Sequence, residues 1–187
     1  MNRHKPLRAR TGLKRKTPLG GGKGFGSPRT ARPRARRGSM AAAVALVMSG
    51  EVTVAQAARE CGVDADRLGD RAAAEFRRRV MERDHYACLE CGELATEVQH
   101  RVARGMGGTA DPRIAFGLPN GVSLCARSHR LAEARDPGMY ARGFWRWRGE
   151  DPARVPVHAF AEYGYELLWL LPNGETARTS PFEEAAA

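Results

Sequence analysis

The first 39 residues of the chain lack aspartate and glutamate altogether, although they contain thirteen of its 31 lysine and arginine residues. The rest of the chain is slightly acidic, at about −3, so the formal net charge of +10 comes from this segment alone. The segment is also poor in apolar residues and holds seven glycines and four prolines. It cannot bury enough surface to offset the entropy of ordering, so we predict a disordered basic tail over residues 1–39. Such a tail favours a polyanionic partner, most commonly nucleic acid; a tail that only aids solubility is the alternative.

Long apolar runs are absent as well. No stretch approaches the roughly 20 residues that a membrane-spanning helix needs, and the most apolar stretch, residues 40–48, is too short. The charged beginning of the chain also lacks the apolar core of a signal peptide. We therefore expect a cytoplasmic protein with no membrane partner.

The chain has only four cysteines, and in a reducing compartment they indicate metal binding or packing in place of disulfides.

Residues 40–83 have the pattern of short helices. Thr53 and Gln56 have the spacing of a capping box, and a glycine-containing turn follows the helix that they begin. Asp64 can cap a further helix that runs to about Arg83. The arrangement is similar to a helix-turn-helix, but several aspartates at the start of the second helix would repel a phosphate backbone. We therefore favour a spacer or a protein-contact module over a DNA-reading element.

Residues 137–187 are predicted to form a β-rich appendage. Strands are expected over residues 155–160 and 163–171, and the Pro-Asn-Gly sequence at 172–174 is typical of a hairpin turn.

A patch of arginine and tryptophan precedes these strands and comprises Arg142, Trp145, Arg146, Trp147 and Arg148. Either the tryptophans pack on the core while the arginines remain solvated, or the patch stacks on nucleotides. We favour the first interpretation.

The most specific pattern lies within residues 84–136. It combines a Cys-x-x-Cys pair, the sequence Val-Gln-His-Arg, a Gly-Met-Gly-Gly loop, an asparagine and a final Leu-Cys-Ala-Arg-Ser-His segment. In this order and spacing the residues resemble the HNH endonucleases, particularly the small phage-type members. The resemblance implies a ββα-metal (His-Me finger) module. In that module His100 ends the first strand, Asn120 stabilises the connecting loop and His129 starts the helix.

Phosphodiester hydrolysis requires an activated water and neutralisation of the charge that develops on the phosphoryl oxygens. The resemblance implies that His100 is the general base, a role that suits an imidazole with a pKa near neutrality. It also implies that His129 binds a catalytic divalent ion, which could be Mg²⁺, Mn²⁺ or Ni²⁺. Glu133 is one helical turn from His129 and would complete the metal shell. Asn120 would hydrogen-bond the loop backbone and hold His100 in orientation.

Gln99 occupies a position at which members of this family commonly carry an aspartate or histidine that binds metal. Because an amide oxygen is a poorer ligand than a carboxylate, we predict weakened metal affinity, and an inactive, degenerate enzyme is the alternative. Arg101 and Arg104 follow closely and are expected to clamp the flanking DNA phosphates.

A second metal site is expected at the cysteines. Family members often pair two Cys-x-x-Cys motifs around a structural Zn²⁺, but here the second motif contains Cys125 and Ser128. Cys88, Cys91 and Cys125 would then need a fourth donor, for which His85 is the nearest candidate. We favour zinc, with simple packing of the cysteines as the alternative.

Together these patterns predict an α+β protein and a metal-dependent HNH endonuclease that nicks DNA or cuts both strands. The resemblance makes a role in phage genome processing or packaging plausible, with packaging or replication proteins as partners and the host cytoplasm as the location. The alternative is a noncatalytic DNA-binding protein with a degenerate, zinc-stabilised HNH fold.

Overall fold

The computed structural model describes residues 38–161 and 164–182. This part of the chain is a mixed α+β structure with helices and two small antiparallel sheets, so the predicted α+β class is confirmed. The tail predicted over residues 1–39 lies almost wholly outside the described residues. Within the described ranges, no helix is both long enough and apolar enough to cross a membrane.

Three helices open the described chain: α1 (Met40–Met48), α2 (Val54–Cys61) and α3 (Ala65–Arg83). The predicted capping box is present, because the Thr53 hydroxyl accepts a hydrogen bond from the Gln56 amide and the Gln56 side chain accepts one from the Thr53 amide. Asp64 caps α3 by accepting a hydrogen bond from the Arg67 amide at 2.9 Å. Local side-chain chemistry thus sets where these helices begin.

One apolar face of α3 joins the core that the helices share. Leu68, Ala72, Phe76 and Val80 recur at intervals of four residues, and all four are buried. They pack with buried residues of α1 and α2 and with the segment around residues 115–118. The helical segment is therefore packed into the body of the protein, where it can support residues of other elements.

A two-stranded antiparallel sheet lies next to α3. It consists of β1 (Glu97–His100) and β2 (Gly121–Leu124); α4 (Pro112–Phe116) lies between the strands in sequence, and α5 (Ala126–Glu133) follows them. His100 pairs with Gly121 in the register. A side chain at Gly121 would come within 2.6 Å of Phe76 and Val80, so glycine allows α3 to approach the sheet closely.

A buried ion pair at the end of α3 fixes the helix to β2. Arg83 donates to the carbonyls of Leu118 and Gly121 at 2.9 and 2.8 Å. Its partner Asp84 accepts a hydrogen bond from the Ser123 amide at 2.9 Å. Because both charges are paired and also hydrogen-bonded to backbone, their burial is compensated.

The C-terminal part contains α6 (Pro137–Ala141) and a three-stranded antiparallel sheet of β3 (Val157–Ala161), β4 (Gly164–Leu170) and β5 (Thr176–Ala177), in that order. The Pro-Asn-Gly sequence forms the turn between β4 and β5, as predicted. Buried Val157, Ala159 and Leu170 share a second core with residues of β2 and with Phe144. The β-rich segment therefore packs on the small sheet that carries His100.

Candidate functional site

His100 lies at the end of β1 with its ring stacked on Phe76 of α3. The two ring centroids are 4.9 Å apart and the ring planes differ by 25°. Nε2 of His100 is 3.1 Å from the carbonyl oxygen of Ala115. Because a carbonyl can only accept a hydrogen bond, Nε2 carries the proton in the neutral ring, and the lone pair is on Nδ1.

The surroundings of His100 favour this neutral form. Burial lowers the pKa of His100 to about 4; the hydrogen bond to Ala115 opposes that shift, and the positive charge of Arg104 adds to it. The imidazole is therefore uncharged at neutral pH, but its pKa lies below the near-neutral value expected for the general base, so it is a weaker base than predicted.

Asn120 is fully buried and connects the two backbone segments beside His100. Its Oδ1 accepts a hydrogen bond from the Val102 amide at 2.7 Å, and its Nδ2 donates to the Val102 carbonyl at 3.0 Å. Nδ2 also donates to the carbonyl of Ile114 at 2.8 Å. Ile114 directly precedes Ala115, which holds the ring of His100, so one side chain anchors the chain on both sides of that ring.

His129 lies in α5 between two carboxylates. Its Nδ1 is 2.8 Å from Oε2 of Glu97 and 3.7 Å from Oε2 of Glu133. The spacing of His129 and Glu133 predicted that they share a helix face, but Glu97 was missed. Alternation along β1 could have found it, because Glu97 and Gln99 are two residues apart and project from the same side of the strand.

A cleft of about 530 Å³ opens beside the end of β1. It brings together the predicted residues Gln99, His100, Arg101, Arg104 and Glu133. Its other walls include Arg135 and the segment 145–148. Among the described residues, His129 is not part of the lining; its carboxylate neighbour Glu133 is. A larger cavity of about 690 Å³ is lined in part by Asn120, but its lining includes neither His100 nor Glu133.

The structure corrects the role predicted for Arg101. Arg101 is only 1% exposed. Its guanidinium donates hydrogen bonds to the carbonyls of Gly143, Pro119, Pro152 and Val155 at 2.7 to 3.1 Å. Burial lowers its pKa to about 9, which still leaves the group protonated at neutral pH. With its donors committed to carbonyls, Arg101 is a structural link between loops and is not free to clamp a phosphate.

Cys88, Cys91 and Cys125 form a compact cluster whose sulphur atoms all lie within 4.8 Å of one another. The Sγ atoms of Cys91 and Cys125 are 3.8 Å apart. The three thiols together could bind a metal ion. Burial raises the pKa of the Cys91 thiol to about 11. At Cys125 burial acts in the same direction, but hydrogen bonds from the backbone amide of Ser128 and from the other thiols outweigh it and lower the pKa.

His85 does not join this cluster, which corrects the predicted fourth donor. It is an exposed residue in the turn after α3, and its backbone has a left-handed φ of 54°. Ser128 lies close to the thiols instead: its hydroxyl oxygen is 3.3 Å from Sγ of Cys125 and 3.9 Å from Sγ of Cys91.

The Ser128 hydroxyl donates a hydrogen bond to the buried carboxylate of Glu90 at 2.8 Å. Arg142 donates to the other oxygen of that carboxylate, also at 2.8 Å. Burial alone would raise the pKa of Glu90, but these two hydrogen bonds outweigh it and the pKa is lowered. Ser128 is therefore hydrogen-bonded to an ionised carboxylate. Glu90 was not recognised in the sequence, and Arg142 was assigned there only to the arginine and tryptophan patch.

No protein-family model, no curated protein and no solved structure shows a significant match to this chain.

Proposed function

We propose that this protein is a metal-dependent DNA endonuclease of the HNH type. The observation that carries the proposal is the position of His100: a neutral imidazole with an unprotonated Nδ1, at the end of a strand and on the lining of a cleft with several arginines. The order of two antiparallel strands followed by a helix, with His129 on that helix, supports the same assignment.

In the proposed reaction, Nδ1 of His100 accepts the proton of the water that attacks the phosphodiester. A side chain that is held by Phe76 and by the Ala115 carbonyl loses little freedom when it does so, which is the advantage of a preorganised base. Exposed Arg104 lines the same cleft and is available to neutralise phosphoryl oxygens, the task that Arg101 cannot perform.

The donors for a catalytic metal are His129, Glu97 and Glu133, with Gln99 as a weaker contributor. One imidazole and two carboxylates suit a divalent ion such as Mn²⁺, Ni²⁺ or Mg²⁺. When bound, such an ion stabilises negative charge on the phosphoryl group and on the leaving 3′ oxygen. Glu97 compensates in this proposal for the carboxylate that Gln99 lacks.

The cysteine cluster is proposed to hold a structural Zn²⁺. Three sulphurs within 4.8 Å of one another match the donor type and the spacing that a tetrahedral zinc site needs. The Ser128 hydroxyl, 3.3 Å from Sγ of Cys125, would be a weak fourth ligand by itself but is hydrogen-bonded to the ionised Glu90.

The biological setting is proposed from the sequence resemblance alone: DNA as substrate, bound in part by the basic N-terminal segment, and a role in phage genome processing or packaging. A noncatalytic DNA-binding protein is the second candidate, and the amide at Gln99, where a stronger ligand is usual, is the observation that favours it.

A plasmid-nicking assay with Mg²⁺, Mn²⁺ or Ni²⁺ separates the two candidates. We expect cleavage by the wild type and a loss of about 10²- to 10⁴-fold in His100→Ala, the usual contribution of a general base. His158→Ala is the matched control, because His158 is exposed on β3 and does not line the cleft. Equal cleavage by His100→Ala and the control would refute the base assignment. DNA binding without cleavage by the wild type, with every metal, would favour the noncatalytic candidate.

A further inference from the structure

One wall of the cleft is made by a segment that runs beside the end of β1. The Arg146 amide donates to the carbonyl of Arg101 at 2.6 Å, and Arg146 pairs with Val102 as a parallel bridge. Arg148 lies against Gly105, where an added side chain would come within 3.0 Å of its guanidinium. This segment, residues 145–148, contains all members of the arginine and tryptophan patch except Arg142.

The two tryptophans of the patch have different environments. Trp145 is 7% exposed and its indole nitrogen donates to the carbonyl of Asp136 at 2.8 Å, as expected of a packed tryptophan. Trp147 is 51% exposed, although both residues line the cleft. Its ring centroid is 5.0 Å from that of Trp145 at an angle of 80°, so the buried ring supports the exposed one. The favoured packing interpretation therefore holds for Trp145 but does not account for Trp147. Its expectation of solvated arginines is wrong for Arg146, whose side chain is only 10% exposed.

The arginines beside Trp147 form a local excess of positive charge. The described residues contain equal numbers of basic and acidic side chains, yet Arg104, Arg135, Arg146 and Arg148 all line this one cleft. The Arg146 side chain is only 10% exposed, and its Nη1 lies 3.6 Å from Oε2 of Glu150, but its Nε has no hydrogen-bond partner among the described residues. A buried donor without an acceptor is costly unless a ligand supplies one.

Trp147 makes a cation–π contact with an arginine of the same chain. The guanidinium carbon of Arg135 lies 5.1 Å from the centre of its ring. Arg135 is exposed, so another flat group can displace its guanidinium from the ring. A nucleobase is such a group, and stacking on an aromatic side chain is the usual way in which proteins hold unpaired bases.

We propose that this cleft binds an unpaired nucleotide of the DNA strand, with its base stacked on Trp147 and its phosphates near Arg146 and Arg148. The inference rests on the proposed nuclease function and adds a substrate class to it. Bases inside an intact duplex offer no free face, so single-stranded, flapped or mismatched DNA is preferred over regular duplex.

The test measures binding, without cleavage, in buffer free of added divalent ions. Fluorescence anisotropy compares the full chain on a labelled thymidine oligonucleotide, on a strand of equal length and charge made of abasic residues, and on a duplex. The basic N-terminal segment contributes to all three, so the ratio of affinities at about 0.15 M salt is the readout.

We expect the wild type to bind the thymidine strand roughly tenfold more tightly than the abasic strand, the effect of about one stacked base. Trp147→Ala should reduce that ratio to near one, and Trp147→Phe should retain part of it. Tyr165→Ala is the matched control, because Tyr165 is similarly exposed but lies on β4 and does not line the cleft. Arg148→Ala should weaken binding to the thymidine and abasic strands equally.

An affinity ratio near one for the wild type, or an unchanged ratio in Trp147→Ala, would overturn the proposal. Tighter binding of a uridine RNA strand would overturn the assignment to DNA. The nicking assay is independent of this result: cleavage with a ratio of one removes only the stacking proposal, whereas base-dependent binding without cleavage removes only the nuclease.

Discussion

Helix α5 carries part of two regions with opposite designs. Cys125 and Ser128 at its beginning belong to the cysteine cluster, where Ser128 and its partner Glu90 are buried and hydrogen-bonded to each other. His129 and Glu133 lie further along, where Glu133 lines an open cleft that several exposed arginines also line. A closed set of donors suits a metal that stabilises the fold, whereas an open set leaves room for a substrate. The two regions should therefore respond differently to substitution.

The largest expected effect is the loss of the cysteine cluster. Cys88→Ser removes one of the three sulphurs, and we expect stoichiometric zinc to be lost together with the cooperative thermal transition, because structural zinc contributes about 10 kcal/mol or more in small domains. Metal analysis and circular dichroism measure both quantities. Cys61→Ala is the control, since Cys61 packs in the helical core outside the cluster. Full zinc content and normal melting of Cys88→Ser would contradict the zinc proposal.

A smaller loss of stability is expected when the buried hydrogen bonds of Arg101 are removed. Arg101→Met keeps the apolar stem but leaves the four acceptor carbonyls without their donor. We expect the free energy of unfolding, measured by urea denaturation, to fall by about 3 kcal/mol. Arg104→Met is the matched control: it should change stability by less than about 0.5 kcal/mol and weaken DNA binding. Similar stabilities of the two variants would show that the buried network contributes little.

At the open region the expected effect is on metal affinity, with stability retained. Glu97→Gln removes the charge of the carboxylate that lies nearest to Nδ1 of His129. We expect Mn²⁺ affinity, measured by calorimetry, to fall about 10- to 100-fold while the thermal transition is unchanged. Glu93→Gln alters an exposed carboxylate outside the site and should leave affinity intact. Unchanged Mn²⁺ binding in Glu97→Gln would remove Glu97 from the proposed shell.

The smallest effect is expected where the two regions meet on α5. Ser128→Cys would supply the fourth thiolate, and we expect zinc retention against a chelator to increase on the order of tenfold. The gain is limited because the substitution also removes the hydrogen bond to Glu90. A decrease in zinc retention would indicate that the pair of Ser128 and Glu90 is itself the better fourth donor.

The same contrast explains what could be predicted from the sequence. Caps and turns act over a few residues, so the capping box at Thr53 and the end of α3 at Arg83 were predicted correctly. Arg101 was assigned to the wrong partners because its acceptors are up to 54 residues away along the chain. Glu97 was missed for a related reason: its importance depends on α5 packing against β1.

The network of Arg101 also sets an order of events during synthesis. Residues 99 to 133 contain every predicted catalytic and catalytic-metal side chain, but three of the four acceptors of Arg101 belong to Gly143, Pro152 and Val155. At about 5 to 20 residues per second, the ribosome needs several seconds to proceed from Arg101 to Val155. A nascent or truncated chain that ends before Gly143 therefore carries the reactive groups but lacks three of the four hydrogen-bond acceptors of Arg101. Limited proteolysis of such fragments should reveal an unprotected Arg101 segment.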